Sequence, residues 1–188
     1  MNGFFRKVLP REGGARVFSS RGLAILPDME ERETVVICIG SDRVSGDMLG
    51  PLVGTSLREE YRLPYPVYGC MGESVNGINL EEYLAMIRRR HVGCRVIAVD
   101  AALGKREDVG RVRLKKGGIK AGGALARQGD RVGDLGVVGV VAEERAPREV
   151  YAALLEVPFP FVEALAARIA AMIGQVLSES VRSQSAEI

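Results

Sequence analysis

Two aspartates are the residues of this chain best placed to do chemistry. Asp47 stands in the run Gly40-Ser41-Asp42-Arg43-Val44-Ser45-Gly46-Asp47-Met48-Leu49-Gly50-Pro51, and Asp100 closes Cys94-Arg95-Val96-Ile97-Ala98-Val99-Asp100. Each follows an apolar run of the kind a buried parallel strand shows, Val35 to Ile39 for the first and Val96 to Val99 for the second. Ligands of open α/β sheets bind beyond the carboxyl ends of the strands, so two acids there are candidates for one site. Two close carboxylates cannot both ionise cheaply. One keeps a proton and polarises an amide while the other takes a proton from water, which is acid/base hydrolysis. Each aspartate also has a structural reading, Asp47 as a helix N-cap and Asp100 as the acid that opens a turn. A capping carboxylate can still face a cleft, so the two readings are compatible.

Other polar residues gather at the same sheet edge. The loop Gly72-Glu73-Ser74-Val75-Asn76-Gly77-Ile78-Asn79 puts Glu73 and Asn76 after the second strand, and Arg43 could orient a carboxylate or a substrate. An aspartate pair needs no metal or other cofactor. In the alternative, Asp47, Glu73 and Asp100 together would offer a hard divalent ion three oxygen ligands. His91, the single histidine, precedes the third strand and so lies on the amino side of the sheet, a poor place for a ligand or base of this site. Glycines 40, 46 and 50 invite comparison with phosphate loops, but no lysine follows and the G-x-G-x-x-G spacing is missing. Asp47 would repel a phosphate at that helix start. The stretch Lys116 to Gly123 reads as a flexible connector, or as a flap over a cleft.

The elements that must hold these residues alternate. Strands are expected at Thr34 to Ile39, Val67 to Met71, Arg95 to Val99, Gly110 to Leu114 and Leu135 to Val141. Helices are expected from about Asp47 to Tyr61, ended by Pro64 and Pro66, from Asn79 to Arg90, and from about Phe161 to Leu177. The second has Leu80, Tyr83, Leu84 and Ile87 on one face, acids in its first turn and three arginines in its last, matching the helix dipole. This order implies right-handed crossovers and a mainly parallel sheet covered on both faces. Residues 1–33 read as a loosely ordered arm with one short helix around Ala15 to Leu26, residues 34–177 as a single α/β domain, and residues 178–188 as a frayed tail.

The bulk numbers agree with that reading. A chain of 188 residues buries a core without staples, and a net charge of +2 demands neither a nucleic acid nor an anionic membrane. Cys38, Cys70 and Cys94 are an odd, widely spaced set in apolar segments, reduced core residues of a cytosolic protein. The longest apolar stretch near the start, Gly22 to Pro27, is too short for a membrane span or a signal peptide, so a cytoplasmic location is expected.

The segment Ile37-Cys38-Ile39-Gly40-Ser41-Asp42-Arg43 with Gly46-Asp47 and Leu49-Gly50-Pro51-Leu52-Val53-Gly54 resembles the YyaC-type sporulation proteins, relatives of the spore germination protease. The resemblance continues through Val67-Tyr68-Gly69, Val75 to Leu80, Val96 to Ala101 with Leu103-Gly104, and Val132-Gly133-Asp134, covering about residues 34 to 142. It implies an α/β fold, a three-layer α/β/α sandwich with a mainly parallel, mixed central sheet of the phosphorylase/hydrolase-like class, shared with the germination protease and the hydrogenase-maturation peptidases. It also implies a sporulation-associated peptidase of aspartic type, with Asp47 and Asp100 as the catalytic pair. The implied partner is a protein substrate, small acid-soluble spore proteins among the candidates, in the cytoplasm of a sporulating cell or spore; a homo-oligomer is allowed. The hydrogenase-maturation peptidases hold nickel with two acids and a later histidine, and no histidine follows Asp100 here. The remaining alternatives are a metal-dependent peptidase or amidase and a non-catalytic sporulation protein that binds a partner in the same cleft.

Overall fold

The computed structural model describes residues 32–120 and 131–186, with side chains as far as Glu179. Five strands, β1 (Thr34–Cys38), β2 (Val67–Tyr68), β3 (Arg95–Gly104), β4 (Val112–Lys116) and β5 (Leu135–Glu143), form one sheet in the order β2-β1-β3-β5-β4. The first three and β5 run parallel, and β4 pairs antiparallel with β5 at the edge. β1 is Thr-Val-Val-Ile-Cys and every residue of it is buried. That is the composition of a strand covered on both faces, where branched side chains suit the pleat.

Alternate residues feed two cores. Val36 and Cys38 of β1, Ile97 and Val99 of β3 and Val137 of β5 pack under α1 (Leu49–Glu59) and α4 (Phe159–Ala186). Val35, Ile37, Ala98 and Val138 point the other way, under Ile87, Leu80, Tyr83 and Leu84 of α2 (Leu80–Arg90). The result is the expected three-layer α/β/α arrangement with a mixed sheet. α1 presses close to the strands because its inner face carries Gly50 and Gly54, four residues apart. A Cβ at Gly50 would lie 2.1 Å from the Ile39 carbonyl oxygen, and one at Gly54 2.2 Å from that of Gly69.

Several boundaries differ from the sequence reading. β3 runs past Asp100 to Gly104 because β5 continues beside it, pairing Asp100 with Val138 and Gly104 with Glu143. β2 is two residues long, and β4 starts two residues later than expected. A helix that the sequence reading did not contain, α3 (Val150–Leu155), precedes α4. The last helix continues to Ala186, through residues expected to be a frayed tail, since neither proline nor glycine interrupts Gln175 to Ala186. By length and composition Phe159–Glu179 is apolar enough to cross a membrane. In this fold its Val162, Leu165, Ile169, Ile173 and Leu177 are buried in the core. The short helix expected around Ala15 to Leu26 lies outside the described residues.

Candidate active site

Chain order in the sheet goes outward from β1 to β2 and then back across β1 to β3. The switch in direction falls between β1 and β3, and at such a point a crevice opens beyond the carboxyl ends of the two strands. The β1–β3 ladder ends with Cys38 opposite Val99, and the Ile39 N–H still donates to the Val99 carbonyl at 2.7 Å. There β1 turns away while β3 continues, so Asp100 is the first β3 residue past the ladder. It is 7% exposed, and its Oδ1 accepts the Ala101 N–H at 2.8 Å. Strand alternation puts Asp100 on the face of Ala98 and Val138, the α2 side.

Asp47 reaches the same point from the other layer. Residues Ser45–Asp47 form a 3₁₀ turn packed on α3, α4 and β3. The Ser45 hydroxyl donates to the Val157 carbonyl at 2.6 Å. Gly46 is buried where a Cβ would lie 2.9 Å from the Leu154 carbonyl oxygen and from Val157. At the start of the loop, Gly40 has φ +148°, and a Cβ there would lie 2.1 Å from the Asp47 carbonyl oxygen. The loop therefore folds back so that Asp47 rests on Gly40, where its carbonyl also accepts the Ser41 N–H at 3.2 Å. Gly40 is one residue from Ile39, which follows the Cys38–Val99 pair and so neighbours Asp100, and the 3₁₀ turn that carries Asp47 packs on β3.

Burial pushes the Asp47 carboxyl above its ordinary value, with the Ser41 backbone N–H opposing the rise. The capping reading of Asp47 does not hold. The N-cap of α1 is Met48, and no side chain caps that helix, because the 3₁₀ turn leads directly into it. The Asp47 carboxyl takes the Ser41 backbone N–H instead of capping the helix.

The other sequence candidates separate. Glu73 does not join the aspartates: its Oε2 pairs with Arg58 Nη1 of α1 at 2.9 Å, and the second arm of Arg58 donates to the Val67 carbonyl at 3.0 Å. That ion pair draws the carboxylate to the β2 edge. The alternative metal set of Asp47, Glu73 and Asp100 therefore does not converge, and among the described residues no group of three or more His, Cys, Asp or Glu could hold a metal ion. Asn76 shapes the entrance to α2, its Oδ1 accepting the Ile78 N–H at 3.0 Å and its carbonyl accepting the Leu80 N–H at 2.9 Å. Arg43 is exposed on the β1 loop, with its guanidinium bonded to no described residue. His91 bridges Tyr68 at 2.9 Å and Glu33 at 3.0 Å at the amino end of the sheet, as its sequence position implied. The connector after β4 is pinned at its start, where Ile119 exchanges backbone bonds with Val132 at 3.0 and 2.7 Å; its remainder lies outside the described residues.

Asp42 is a site residue that the sequence reading passed over. Its Oδ2 accepts the Gly72 N–H at 3.0 Å, and its own N–H donates to the Ser74 hydroxyl at 3.2 Å. It clasps the β1 loop to the β2 loop. The available signal was an aspartate inside a glycine-bounded loop, a residue type that bonds backbone nearby.

The chain belongs to the family described as "Protein of unknown function (DUF1256)", whose model matches residues 18–172. It is 39% identical over 107 residues to the "Uncharacterized protein YyaC" of Bacillus subtilis (strain 168), a match covering 57% of this chain and 52% of that protein. The chain thus spans about half the length of that curated relative. Among solved structures it is similar to the [NiFe] hydrogenase maturation protease HycI from Thermococcus kodakarensis KOD1. That likeness has a TM-score of 0.56 and 20% identity, covers 78% of this chain and 93% of that one, and is a likeness of fold.

Proposed function

We propose that this chain hydrolyses amide bonds of protein substrates with Asp47 and Asp100 as an acid/base pair, in the cytoplasm of a sporulating cell or spore. What supports the reading is that Asp47 follows β1 and Asp100 lies in β3, the two strands between which the chain order switches, with Asp47 driven toward its protonated form by burial. Asp47 holds the proton and donates a hydrogen bond to the scissile carbonyl. Asp100, oriented by the Ala101 N–H, takes a proton from the attacking water. As the tetrahedral carbon collapses, Asp100 passes that proton to the leaving nitrogen while Asp47 keeps its own, so the pair ends each turnover as it began. The sporulation setting, and small acid-soluble spore proteins as substrate, rest on the resemblance across residues 34 to 142. The fold likeness to HycI supports a peptidase scaffold and no more.

The test is cleavage of unfolded casein and of small acid-soluble spore proteins by wild type, Asp47→Asn and Asp100→Asn, each checked for folding by circular dichroism. A loss of at least about a hundredfold in both folded variants is expected. Full activity in both would move the chemistry elsewhere, and no cleavage by any form would leave a domain that binds a partner in this crevice.

A further inference from the structure

We propose that the outer edge of β4 is a docking surface for an extended acidic segment of a partner protein, bound as an added strand. The surface is argued without the acid pair and stands or falls separately from it. Among the described residues β4 is the last strand of the sheet on its side. The Val140 N–H donates to the Arg111 carbonyl at 2.9 Å and the Gly117 N–H to that of Asp134 at 2.7 Å. Antiparallel ladders alternate, so the bonds to β5 fall on Arg111, Arg113, Lys115 and Gly117, and the N–H and C=O groups of Val112, Leu114 and Lys116 point away from it. No described residue bonds those outward groups. They are the donors and acceptors that an added strand uses.

Charge decides which strand can add. Arg111, Arg113, Lys115 and Lys116 are all exposed. The stretch Lys105 to Lys120 has seven cationic residues and two acids, a surplus of five in a chain whose net charge is +2. Asp108, one of those acids, is buried and fixes the guanidinium groups of Arg111 and Arg113, at 2.9 Å for Arg111. Charged edge strands ordinarily repel stray strands. A guard of a single sign repels only its like and admits a strand of the opposite sign, with Glu or Asp placed opposite the cations on alternate residues. Nucleic acid is the less suited ligand: it cannot use the outward amide ladder, and β4 carries no aromatic side chain for bases to stack on. In the sheet Arg113 shares a row with Val138 and Asp100, so an added strand would lie three strand spacings, about 14 Å, from Asp100.

The test uses the full chain and a fluorescent peptide about ten residues long, alternating Glu with Thr or Val, measured by anisotropy beside its Lys-for-Glu counterpart and an oligothymidine of similar length. The acidic peptide should bind at least tenfold tighter than either and weaken with salt, and hydrogen exchange should slow at Val112, Leu114 and Lys116. Lys115→Glu/Lys116→Glu should lose binding at least tenfold. Leu114→Pro should do the same, since it deletes an outward N–H that the ladder to β5 does not use. Asp100→Asn should bind as wild type, which separates this surface from the acid pair. Equal or absent binding of the two peptides, or protection elsewhere, would overturn the proposal, and tighter binding of the oligonucleotide would replace it with a nucleic-acid surface. The double glutamate variant decides the matter if Leu114→Pro does not fold.

Discussion

Replacing Gly50 with alanine probes the contact that sets the depth of α1 on the sheet. The new Cβ would stand 2.1 Å from the Ile39 carbonyl oxygen, 2.7 Å from its carbon and 2.8 Å from the Ile39 nitrogen. All three are backbone atoms, so no side chain can swing aside. Restoring ordinary contact of about 3.4 Å requires α1 to retreat by about 1.3 Å. Leu49, Val53 and Leu57 are fully buried beneath that helix. A gap of about 1 Å forfeits a quarter to a half of their dispersion contact, each side chain being worth about 2 kcal/mol, so about 2 to 3 kcal/mol is lost. The better helix propensity of alanine returns at most about 1 kcal/mol, and less in a first turn. The expected net loss is about 2 kcal/mol, a fall in Tm of about 4 to 8 °C for a chain of this size. Gly77→Ala is the matched control, since nothing lies within 4 Å of a Cβ there. Its stability should stay within about 0.5 kcal/mol of wild type. Urea and thermal unfolding of the three proteins provide the assay. The shift of α1 also displaces the turn that carries Asp47, so the proposed cleavage activity should fall by about a hundredfold. A Gly50→Ala protein as stable as the Gly77→Ala control would show that α1 does not rest on β1 as described.

Further expectations follow from the same geometry. Burial holds Asp47 above its ordinary value of 3.8, so the folded chain binds that proton more tightly than the unfolded chain. Its contribution to stability is then full below pH 3.8 and is lost as pH rises through the raised folded-state value. Asp47→Asn should therefore match or exceed wild type at neutral pH, with an advantage that shrinks in acid; urea midpoints across the pH range check this, and a constant difference would count against the buried carboxyl. His91→Gln should lower stability by about 1 to 2 kcal/mol through lost bonds to Tyr68 and Glu33 while leaving cleavage within a few fold. A large loss of cleavage in folded His91→Gln protein would mean that the chemistry lies at the amino end. Glu73→Ala should likewise leave cleavage within a few fold, and a chelator should not shift the wild-type melt.

The apolar runs made the central strands legible, because β1 and the first half of β3 are buried on both faces and read as unbroken branched residues. Beyond Asp100 the chain turns to Ala101-Ala102-Leu103-Gly104, poor strand formers that continue the sheet only because β5 lies alongside. α3 was invisible for a related reason: six residues between Pro147 and Pro158 are too few for a helical period to declare itself. That Asp47 follows β1 and that Asp100 lies just past the β1–β3 ladder could be read ahead, because the apolar runs before them mark the two strands. The separation of Glu73 from them could not, since it depends on Arg58, fifteen positions earlier, reaching across the sheet edge. Spacing along a chain records neither that reach nor the clasp that Asp42 makes between two loops.

The pairing of β1 with β3 also governs how the protein comes into being. Thr34 meets Arg95 across sixty-one intervening steps of chain, and Cys38 meets Val99 across as many. Closing so long a loop must precede any reward from the contacts it makes, which slows folding and places this union late. A chain emerging from synthesis displays Asp47 well before Asp100, and neither has its neighbour until the two central strands zip. Hydrolytic capacity of the proposed kind would thus arise in one step with the finished sheet, and partly made or trimmed chains ending before residue 100 would be inert toward the proteins around them.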